Sequence, residues 1–333
     1  MAIKCYAAME RGAVLKPFAY EPAPLGPFDV ELAVTHCGLC HSDIHLIDND
    51  WQVSNYPLIP GHEVIGVVRE RGPAVTEVAI GQRVGVGWQS GACLQCEWCV
   101  GGDETCCPRE EATCVGRPGG FAAAIRLDSR FVHPIPAGLA SENAAPLLCA
   151  GITVYTPLRQ GAAATSRVGI IGVGGLGHLA IQFARALGCE VTAFSTTPDK
   201  EAEARQLGAT HFVHSRDMKQ MAGAAGALDF LLSTITAPLD ADTWLPLLRK
   251  KGTLCLVGAS PGTVNVSPMA LIVGRYAVRG SAIGSRTLMR EMLALAARHG
   301  VQSRTEVMPM AEVNAAITRV RRNEARYRVV LAN

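Results

Sequence analysis

Potential metal ligands and proton carriers lie close together near the start of the chain. Cys40 supplies a thiol and His62 an imidazole, and zinc prefers both of these ligand types. Ser42 supplies a hydroxyl and His45 a second imidazole, which together can move a proton between a buried site and solvent. The residue types and their spacing predict a zinc site with a proton relay beside it.

Two acids accompany these side chains. Asp43 and Glu63 can orient or neutralise the ligands of a metal. Cys37 and Cys40 also have the spacing of a redox CxxC pair. No thioredoxin-like βαβ pattern surrounds that pair, so metal ligation is the favoured interpretation.

A second group of cysteines predicts a closed metal site. Cys93, Cys96 and Cys99 are separated by two residues each, and either Cys106 or Cys107 can follow as a fourth thiolate. Four thiolates complete a tetrahedron around zinc and leave no position for a substrate. The predicted role is therefore structural, with the metal replacing the core that this loop lacks.

Composition indicates a globular protein of two domains. The chain has 333 residues, of which 49% are hydrophobic and 18% charged, with a net charge of +2. This balance argues against disorder and gives no case for nucleic acid or a membrane as partner. Twelve cysteines without a signal-peptide pattern favour metal ligation over disulfides. No apolar run approaches the ~20 residues of a membrane span, so we expect a cytoplasmic protein.

The first half of the chain has the pattern of a small β domain. Val30–Val34 alternates as a half-buried strand should, and apolar runs at residues 64–68 and 84–87 predict further strands. Prolines and glycines interrupt these segments at short intervals. Many short strands with little helix predict a barrel-like β domain.

From about residue 166 the pattern changes to strand and helix in turn. Arg167–Ile171 predicts a buried strand, and apolar residues then recur at helical spacing until Gly188. The turn between them is Gly172, Val173, Gly174, Gly175, Leu176 and Gly177. A strand, a GxGxxG turn and a helix in this order predict a dinucleotide site, because glycines let the backbone approach pyrophosphate at a helix N-terminus.

The end of the next strand favours NADP(H) over NAD(H). An NAD enzyme would carry an acid about 20 residues beyond the glycines, to hold the ribose hydroxyls. This chain instead has Ser195, Thr196, Thr197 and Lys200 there, which are donors and a cation suited to a 2′-phosphate. Asp199 counts against this assignment, and a solvated loop that accepts either cofactor is the alternative.

Further buried segments complete the pattern of two mononucleotide-binding halves. Strands are predicted at residues 210–213, 229–234, 253–258 and 277–283, which with the two before them make six. Helices are predicted at Ala241–Lys250 and Thr287–His299, and a strand at 327–331 near the end of the chain. The expected fold class is α/β, with a doubly wound parallel sheet beside a β-rich domain.

These motifs resemble the zinc-containing medium-chain alcohol dehydrogenases over essentially the whole chain. The matching segments are Cys40-His-Ser-Asp43, Gly61-His-Glu63, the four-cysteine loop, Pro146–Val154 and Gly172–Gly177. Within that family the chain is most similar to the cinnamyl-alcohol-dehydrogenase-like branch and its bacterial NADPH-dependent aldehyde reductases.

The resemblance implies two domains and two zinc ions. A GroES-like catalytic domain would comprise residues 1–151 and 286–333, with a structural zinc lobe at 91–107, and a Rossmann domain would occupy 152–285. The catalytic zinc would be bound by Cys40, His62 and Cys149, with Glu63 near enough to ligate it and Asp43 hydrogen-bonded to His62. The structural zinc would be bound by Cys93, Cys96, Cys99 and Cys107.

The resemblance also places further residues at the cofactor. These are Thr153, Thr234, Gly258, Ser281, Ile283 and Arg328, together with the Ser195–Lys200 loop. Arg286 is less expected at the mouth of such a site, which leaves the local specificity open. Trp51, Tyr56 and Trp88 are candidates for lining the substrate pocket.

The function implied is interconversion of aldehydes and primary alcohols by hydride transfer with zinc and NADP(H), in a homodimer. A zinc-free quinone or enone reductase of the same fold would lack Cys40, His62 and Cys149. A non-catalytic zinc- or NADPH-binding protein would have a damaged relay, whereas Ser42 and His45 are both present.

Overall fold

The computed structural model describes residues 1–259 and 262–333. The strands there are β1 (Ile3–Ala7), β2 (Lys16–Tyr20), β3 (Asp29–Leu39), β4 (Glu63–Arg71), β5 (Arg83–Val86), β6 (Gln89–Gly91), β7 (Glu111–Ala112), β8 (Ala124–Asp128), β9 (His133–Pro134), β10 (Arg167–Ile171), β11 (Glu190–Ser195), β12 (His211–His214), β13 (Leu228–Ser233), β14 (Leu248–Leu256), β15 (Ala277–Gly280), β16 (Thr305–Pro309) and β17 (Arg328–Ala332). The α-helices are α1 (His41–Asp48), α2 (Glu97–Val100), α3 (Ser141–Ala144), α4 (Ala150–Gly161), α5 (Gly177–Ala186), α6 (Glu201–Gln206), α7 (Met218–Gly223), α8 (Ala241–Trp244), α9 (Pro268–Gly274), α10 (Arg286–His299) and α11 (Val313–Arg321). Short 3-10 turns lie at Glu104–Cys106, Ser129–Phe131, Ala145–Leu148, Pro198–Lys200, Leu245–Leu247 and Met310–Glu312.

The chain divides into two compact units. The first unit comprises Met1–Cys149 and Gly284–Asn333, and the second comprises Ala150–Ile283. The sequence analysis expected the chain to cross between domains at 151/152 and 285/286. The crossings in the structure lie at 149/150 and 283/284.

The first unit is built on a largely antiparallel sheet. Its seven strands follow the order β16-β17-β3-β4-β5-β9, with β8 pairing with β3 outside that path. The pairs are antiparallel except β16 with β17, and β1–β2 and β6–β7 form two small sheets of their own. Buried aliphatic side chains of β3, β4 and β5 form much of its core with Phe121 and Ile125. The expectation of a β-rich domain is confirmed.

Helix α1 begins where the longest strand of this sheet ends. Cys40 is its N-cap residue, in an extended conformation, and the Asp43 carboxylate accepts a hydrogen bond from the Cys40 backbone N–H at 2.9 Å. This is the reciprocal half of a capping box, which satisfies an N–H that the helix leaves open. Asn49 ends the helix in the left-handed conformation. The cap fixes Cys40 and Asp43 relative to each other.

The second unit contains a parallel sheet. Its strand order is β12-β11-β10-β13-β14-β15, and every pair is parallel. Counted from β10 as the first strand, this is the order 3-2-1-4-5-6 of a dinucleotide-binding fold. The predicted α/β class with a doubly wound sheet is confirmed.

Several predicted boundaries were wrong. Residues 248–250 of the predicted helix Ala241–Lys250 lie in strand β14, after a 3-10 turn at Leu245–Leu247. The predicted strand at 277–283 stops at Gly280. Strand β16 was missed, since its residues Thr305–Pro309 are mostly half-exposed and show no clear alternation.

None of the helices in the described part of the chain has both the length and the apolar character that crossing a membrane would require.

Candidate active site and second metal centre

One cluster of potential metal ligands lies inside the first unit. A ligand atom of each of Cys40, His62, Glu63 and Cys149 lies within 4.8 Å of the others. Cys40 caps α1, His62 and Glu63 lead into β4, and Cys149 follows the 3-10 turn at Ala145–Leu148. His62 and Glu63 are completely buried, and Cys40 and Cys149 are less than a tenth exposed. Three separate segments therefore supply one compact site.

Asp43 holds this site together. Its Oδ1 accepts from Gly61 N at 2.9 Å and lies 2.9 Å from His62 Nδ1, and its Oδ2 accepts from Cys40 N. An imidazole that donates from Nδ1 to a carboxylate presents Nε2 as its ligand atom. His62 Nε2 indeed lies 3.2 Å from Cys149 Sγ. One buried carboxylate thus orients both His62 and the backbone of Cys40.

One carboxylate oxygen of Glu63 is paired with an arginine, and the other has no hydrogen-bond partner among the described residues. Arg328, itself 5% exposed, donates from Nη2 to Glu63 Oε1 in a buried ion pair. Glu63 Oε2 is buried without a hydrogen-bond partner among the described residues. A side-chain carbon at Gly38 would lie 1.9 Å from that oxygen. The absence of a side chain at residue 38 therefore makes room for the free end of the carboxylate.

The electrostatics of the cluster suit a metal cation. Hydrogen bonds from Cys149 and His62, with the charge of Arg328, hold the pKa of the Cys40 thiol well below its ordinary value despite burial. Burial raises the pKa of Glu63 to about 7, against the opposing charge of Arg328. Two sulfurs and one nitrogen in tetrahedral range, with an orphaned carboxylate oxygen beside them, fit zinc with one position left for exchange.

The predicted relay residues, Ser42 and His45, lie near this cluster, but each is hydrogen-bonded to a different partner. Cys40 Sγ donates to Ser42 Oγ at 3.7 Å, which places the hydroxyl beside a ligand sulfur. His45 lies one turn further along α1, with Nδ1 2.7 Å from Asp50 Oδ2 and a side chain that is 30% exposed. Ser42 is thus at the inner end and His45 at the solvent end of the helix.

Two of the three aromatic candidates pack at the site. The ring of Trp88 lies 5.1 Å from the ring of His62 in an edge-to-face arrangement, and Trp51 lies 6.0 Å from Trp88. Trp51 also stacks 5.3 Å from the His45 ring. The third candidate, Tyr56, donates its hydroxyl to Ile47 O at 2.9 Å and packs against the core instead.

A cavity of about 440 Å³ opens beside Trp88. Apolar side chains of Val53, Trp88, Ala112 and Val115 contribute to its walls, and the remaining lining residues are Glu110, Glu111, Gly116 and Arg117. The cavity is therefore one aromatic ring away from a metal ligand.

The second ligand cluster lies in the lobe at residues 91–107. One sulfur of each of Cys93, Cys96, Cys99 and Cys107 lies within 4.8 Å of the others. Backbone N–H groups support these sulfurs: Cys96 N donates to Cys93 Sγ at 3.3 Å, and Arg109 N donates to Cys107 Sγ at 3.3 Å. Hydrogen bonds from the backbone of Gln95 and Cys96 lower the pKa of Cys93 to about 5, as suits a thiolate ligand.

Cys106 does not belong to that cluster. It is exposed, and its sulfur lies 3.9 Å from Asp103 Oδ2. Cys37, the other alternative of the sequence analysis, donates to its neighbour's carbonyl, Gly38 O, at 3.6 Å. Both are free thiols, and the structure groups neither with the ligand sulfurs.

The lobe is tied to α10 by an ion pair between a buried acid and a partly exposed arginine. Glu104 is 2% exposed, and its Oε1 accepts from Arg286 N at 2.6 Å and from Arg286 Nε at 2.8 Å. Arg286 also donates to Arg130 O at 3.3 Å and lies over the Phe131 ring. These contacts of Arg286 are therefore with the lobe and with the 3-10 turn at Ser129–Phe131.

The sequence analysis assigned no role to Cys114. The thiol is completely buried, and its sulfur lies in one ligand-type group with Asp43 and His62. A hydrogen bond between Cys114 and His62 adds to the support of that imidazole. A lone cysteine in a loop carries no sequence signal that would reveal such a contact.

In the second unit the glycine turn has the predicted form. Gly172 has φ +94°, which favours glycine, and a side-chain carbon at Gly177 would lie 1.9 Å from Gly172 O. Thr234 donates from Oγ1 to Ile171 O at 2.8 Å and lies near Gly172 O, so it braces the turn. A side chain at Gly174 would meet no atom within 4 Å. This open cradle at the start of α5 fits the pyrophosphate of a dinucleotide.

The loop predicted to bind a 2′-phosphate is partly engaged with the protein. Ser195 is 6% exposed, and its Oγ accepts from Thr197 N at 3.1 Å. Lys200 donates from Nζ to Val173 O at 2.5 Å, inside the glycine turn. Thr196 and Thr197 are exposed. The loop therefore brings a cation and two free hydroxyl side chains to the edge of the dinucleotide cradle.

The remaining predicted cofactor residues are spread over the second unit. Gly258 approaches the carbonyl of Ile235 so closely that a side-chain carbon would lie 2.0 Å from it. Ser281 follows β15 and donates from its backbone N to Leu256 O at 3.1 Å. Thr153 on α4 and Ile283 are half-buried. Arg328, in contrast, belongs to the first unit and binds Glu63.

Comparison with known proteins gives family matches in both halves of the chain and relatives that cover nearly all of it. Residues 26–137 match the alcohol dehydrogenase GroES-like domain family, and residues 175–298 match the zinc-binding dehydrogenase family. The chain is 40% identical to the aldehyde reductase AdhA of Synechocystis, over 99% of both chains. It is also 40% identical to probable cinnamyl alcohol dehydrogenase 6 of Oryza sativa, over 98% of this chain and 94% of the rice protein.

Solved structures agree with these relatives. A cinnamyl alcohol dehydrogenase from Sorghum bicolor superposes with a TM-score of 0.95 at 38% identity, over 100% of this chain and 98% of that one. The cinnamyl alcohol dehydrogenase of Helicobacter pylori, solved in complex with NADP(H), superposes with a TM-score of 0.91 at 31% identity over the same shares.

The fold and the ligand set define a zinc-dependent oxidoreductase. The chain belongs to the zinc-containing medium-chain alcohol dehydrogenase family, in its cinnamyl-alcohol-dehydrogenase-like branch. Its chemistry is accordingly the interconversion of alcohols and aldehydes.

Proposed function

We propose that this enzyme reduces aldehydes to primary alcohols, and catalyses the reverse reaction, with NADP(H) as the hydride carrier. In the reducing direction one hydride and one proton are added to the carbonyl group, and NADP⁺ is released. The observation that carries the proposal is the buried set Cys40, His62 and Cys149 with the orphaned oxygen of Glu63 beside it. The aldehyde reductase of Synechocystis and the NADP(H) complex of the Helicobacter enzyme support the substrate class and the cofactor.

Cys40, His62 and Cys149 would hold the catalytic zinc, and the four lobe cysteines would hold the structural one. When bound, the catalytic zinc supplies a Lewis acid that polarises a carbonyl oxygen. Asp43 keeps His62 in the tautomer that ligates. Glu63 stands ready beside the ligands, with Arg328 limiting how far its carboxylate can move. The near-complete burial of these residues would limit the access of bulk water to the reacting carbonyl group.

The glycine turn and α5 would bind the pyrophosphate of NADP(H), which supplies the hydride. Lys200 and the exposed Thr196 and Thr197 would bind the 2′-phosphate, with Ser195 holding the loop in shape. No acid stands at the end of β11, where a carboxylate would repel that phosphate. We expect kcat/KM to be higher with NADPH than with NADH. Equal or better efficiency with NADH would refute this preference.

Ser42 and His45 would carry the proton. The Ser42 hydroxyl lies at the ligand end of α1, and His45 lies at the solvent end with Asp50 beside its ring. Replacing His45 by Gln should lower alcohol oxidation about tenfold at neutral pH, with recovery at high pH where solvent hydroxide takes the proton. An unchanged pH profile would discard this role.

The substrate tail would occupy the cavity beside Trp88. Its apolar walls favour aliphatic or aromatic groups of moderate size. We further propose that the two compact units are the catalytic and the cofactor-binding domains, and that the enzyme is a cytoplasmic homodimer. Gel filtration with light scattering tests the dimer.

The central experiment combines a metal analysis with an assay. Purified enzyme should contain about two zinc per chain and should oxidise NADPH with neutral aldehydes such as benzaldehyde. A chelator that removes the catalytic zinc should abolish this activity. Full turnover by metal-free protein would favour a zinc-free reductase, and zinc content without any turnover would favour a binding protein.

A further inference from the structure

The cavity beside Trp88 carries a net negative charge that the function described above does not use. Its ionisable lining residues are Glu110, Glu111 and Arg117. Two carboxylates against one guanidinium leave one uncompensated acid. Glu110 and Glu111 are both exposed, so this charge acts from the solvent side of the cavity and is screened by salt.

The two acids are not equivalent. Glu111 is paired with Arg117, whose Nη1 lies 3.6 Å from Glu111 Oε2, and its side chain packs over Gly91. Arg117 is also committed to Ser90 Oγ at 3.0 Å and to the carbonyl of Arg126. Among the described residues no ion pair is formed by the Glu110 carboxylate. Glu110 is therefore the acid that gives the cavity its charge.

The wall that carries Glu110 is fixed at both ends. At one end Glu110 N donates to Cys107 O at 3.0 Å, next to the structural cysteine cluster. Further along, Thr113 N donates to Trp88 O at 2.7 Å, and the Cys114 thiol lies against His62. The segment thus runs from one ligand cluster to the other, and the cavity lies along it. The backbone at Glu110 therefore keeps its place relative to Trp88.

We propose that Glu110 selects substrates by the charge of their distal end. Aldehydes that carry a quaternary ammonium or protonated amine at that end are favoured, and aldehydes that carry a carboxylate there are disfavoured. Trp88 adds to the preference, because an indole ring in the same cavity attracts a cation. The inference rests on the proposed function, since it takes the cavity as the place where the substrate tail lies.

The test uses three para-substituted benzaldehydes, with a trimethylammonium, a methyl or a carboxylate group at the far end. Each is assayed with the zinc enzyme and NADPH for wild type and for Glu110→Gln. For every aldehyde the ratio of variant to wild-type kcat/KM cancels the intrinsic reactivity of the carbonyl. We expect the ratio to fall about fivefold for the cation and to rise about fivefold for the carboxylate, mainly through KM. Both changes should shrink as salt concentration rises.

A binding measurement separates selection from a general effect on catalysis. The corresponding benzamides cannot accept hydride, so calorimetry with the enzyme and NADPH should show the same opposite shifts in Kd. Glu77→Gln is the matched control, because it removes one exposed acid of the first unit that does not line the cavity. It should leave all ratios near one.

Three outcomes decide the matter. Opposite shifts for the two charged aldehydes in Glu110→Gln alone support the proposal. Equal ratios for all three aldehydes, or the same shifts in Glu77→Gln, overturn it while the proposed function stands. No turnover of the methyl-substituted aldehyde by wild-type enzyme overturns the proposed function itself.

Discussion

The two ligand clusters of this chain differ in how they are built. The lobe cluster draws four identical ligands from residues 93–107 and is partly exposed. The other cluster draws thiol, imidazole and carboxylate ligands from residues 40–149, and these side chains are almost completely buried. A closed set of like ligands suits a structural role, and a mixed set with an orphaned oxygen suits exchange of a ligand.

The surroundings differ as much as the ligands. Around the lobe cluster Trp98 and Val100 are 45% and 77% exposed, so little apolar burial supports that loop without a metal. Around the other cluster β3, β4 and the cap of α1 fix the ligands before any metal binds. Metal should therefore hold the lobe together, whereas the fold should hold the catalytic ligands together. Removing ligands one at a time tests this contrast.

The largest expected effect is on turnover, from Cys149→Ala. The catalytic zinc should be lost while the structural one stays, so bound zinc should fall from about two to about one per chain. Aldehyde reduction should fall at least about 10³-fold, because the carbonyl is no longer polarised. Thermal unfolding should change by only a few degrees. A large loss of stability here would contradict the view that the fold positions these ligands.

The next effect is on stability, from Cys96→Ala in the lobe. Loss of the structural zinc should lower Tm by about 10 °C or more, since the loop has no core to replace it. Activity per remaining zinc should stay within about threefold of wild type at low temperature. Cys106→Ala is the control, because this exposed thiol lies outside the cluster, and it should change neither zinc content nor Tm.

A smaller effect should follow from Arg328→Met. The Glu63 carboxylate would then be buried without its cation, which costs about 3–5 kcal/mol for a buried pair that loses one partner. Chemical denaturation measures the difference. Arg321→Met removes an arginine whose pair with Asp48 is partly exposed, and it should cost less than about 1 kcal/mol. Similar losses of unfolding free energy in the two variants would show that the Arg328–Glu63 pair contributes no more to stability than a partly exposed pair.

The smallest effect concerns acid sensitivity on the side where the lobe meets α10. His133 is 4% exposed, and burial, with the charges of Arg290 and Arg286, lowers its pKa to about 3. The unfolded chain binds a proton at His133 below pH 6.5 and the folded chain does not, so stability falls as pH falls through that range. His133→Gln should remove about 2 kcal/mol of the loss between pH 7 and 5. The free energy of unfolding is measured by chemical denaturation at pH 7 and pH 5 for both proteins. If its difference between the two pH values is the same in the variant as in wild type, His133 is not a neutral buried histidine.

The same contrast explains what the sequence could predict. The lobe ligands are neighbours in the chain, so spacing alone indicated a closed site, although the choice between Cys106 and Cys107 needed the resemblance or the structure. The glycine turn was equally local, and its strand and helix lie where the pattern predicted them. Local signals of this kind depend on backbone geometry that a few residues determine.

Long-range contacts left no such signal. No sequence signal predicted the ion pair of Arg328 with Glu63, which lies far away in the chain but next to it in space. Cys114 and Arg286 likewise gain their partners His62 and Glu104 only through the packing of separate segments. The helix predicted at Ala241–Lys250 starts where predicted but was placed too far along the chain at its end, for a related reason. Leu248 pairs with Leu228 of β13, and local propensity does not reveal that pairing.

Gly38 is a position where a substitution would disturb the metal site although the residue itself binds no metal. Its backbone is ordinary extended strand, so conformational freedom is not what this position requires. It provides the volume that the free end of Glu63 occupies. A methyl group added there would push the Glu63 carboxylate away from the metal ligands. A Gly38→Ala substitution would therefore alter the site by displacing Glu63.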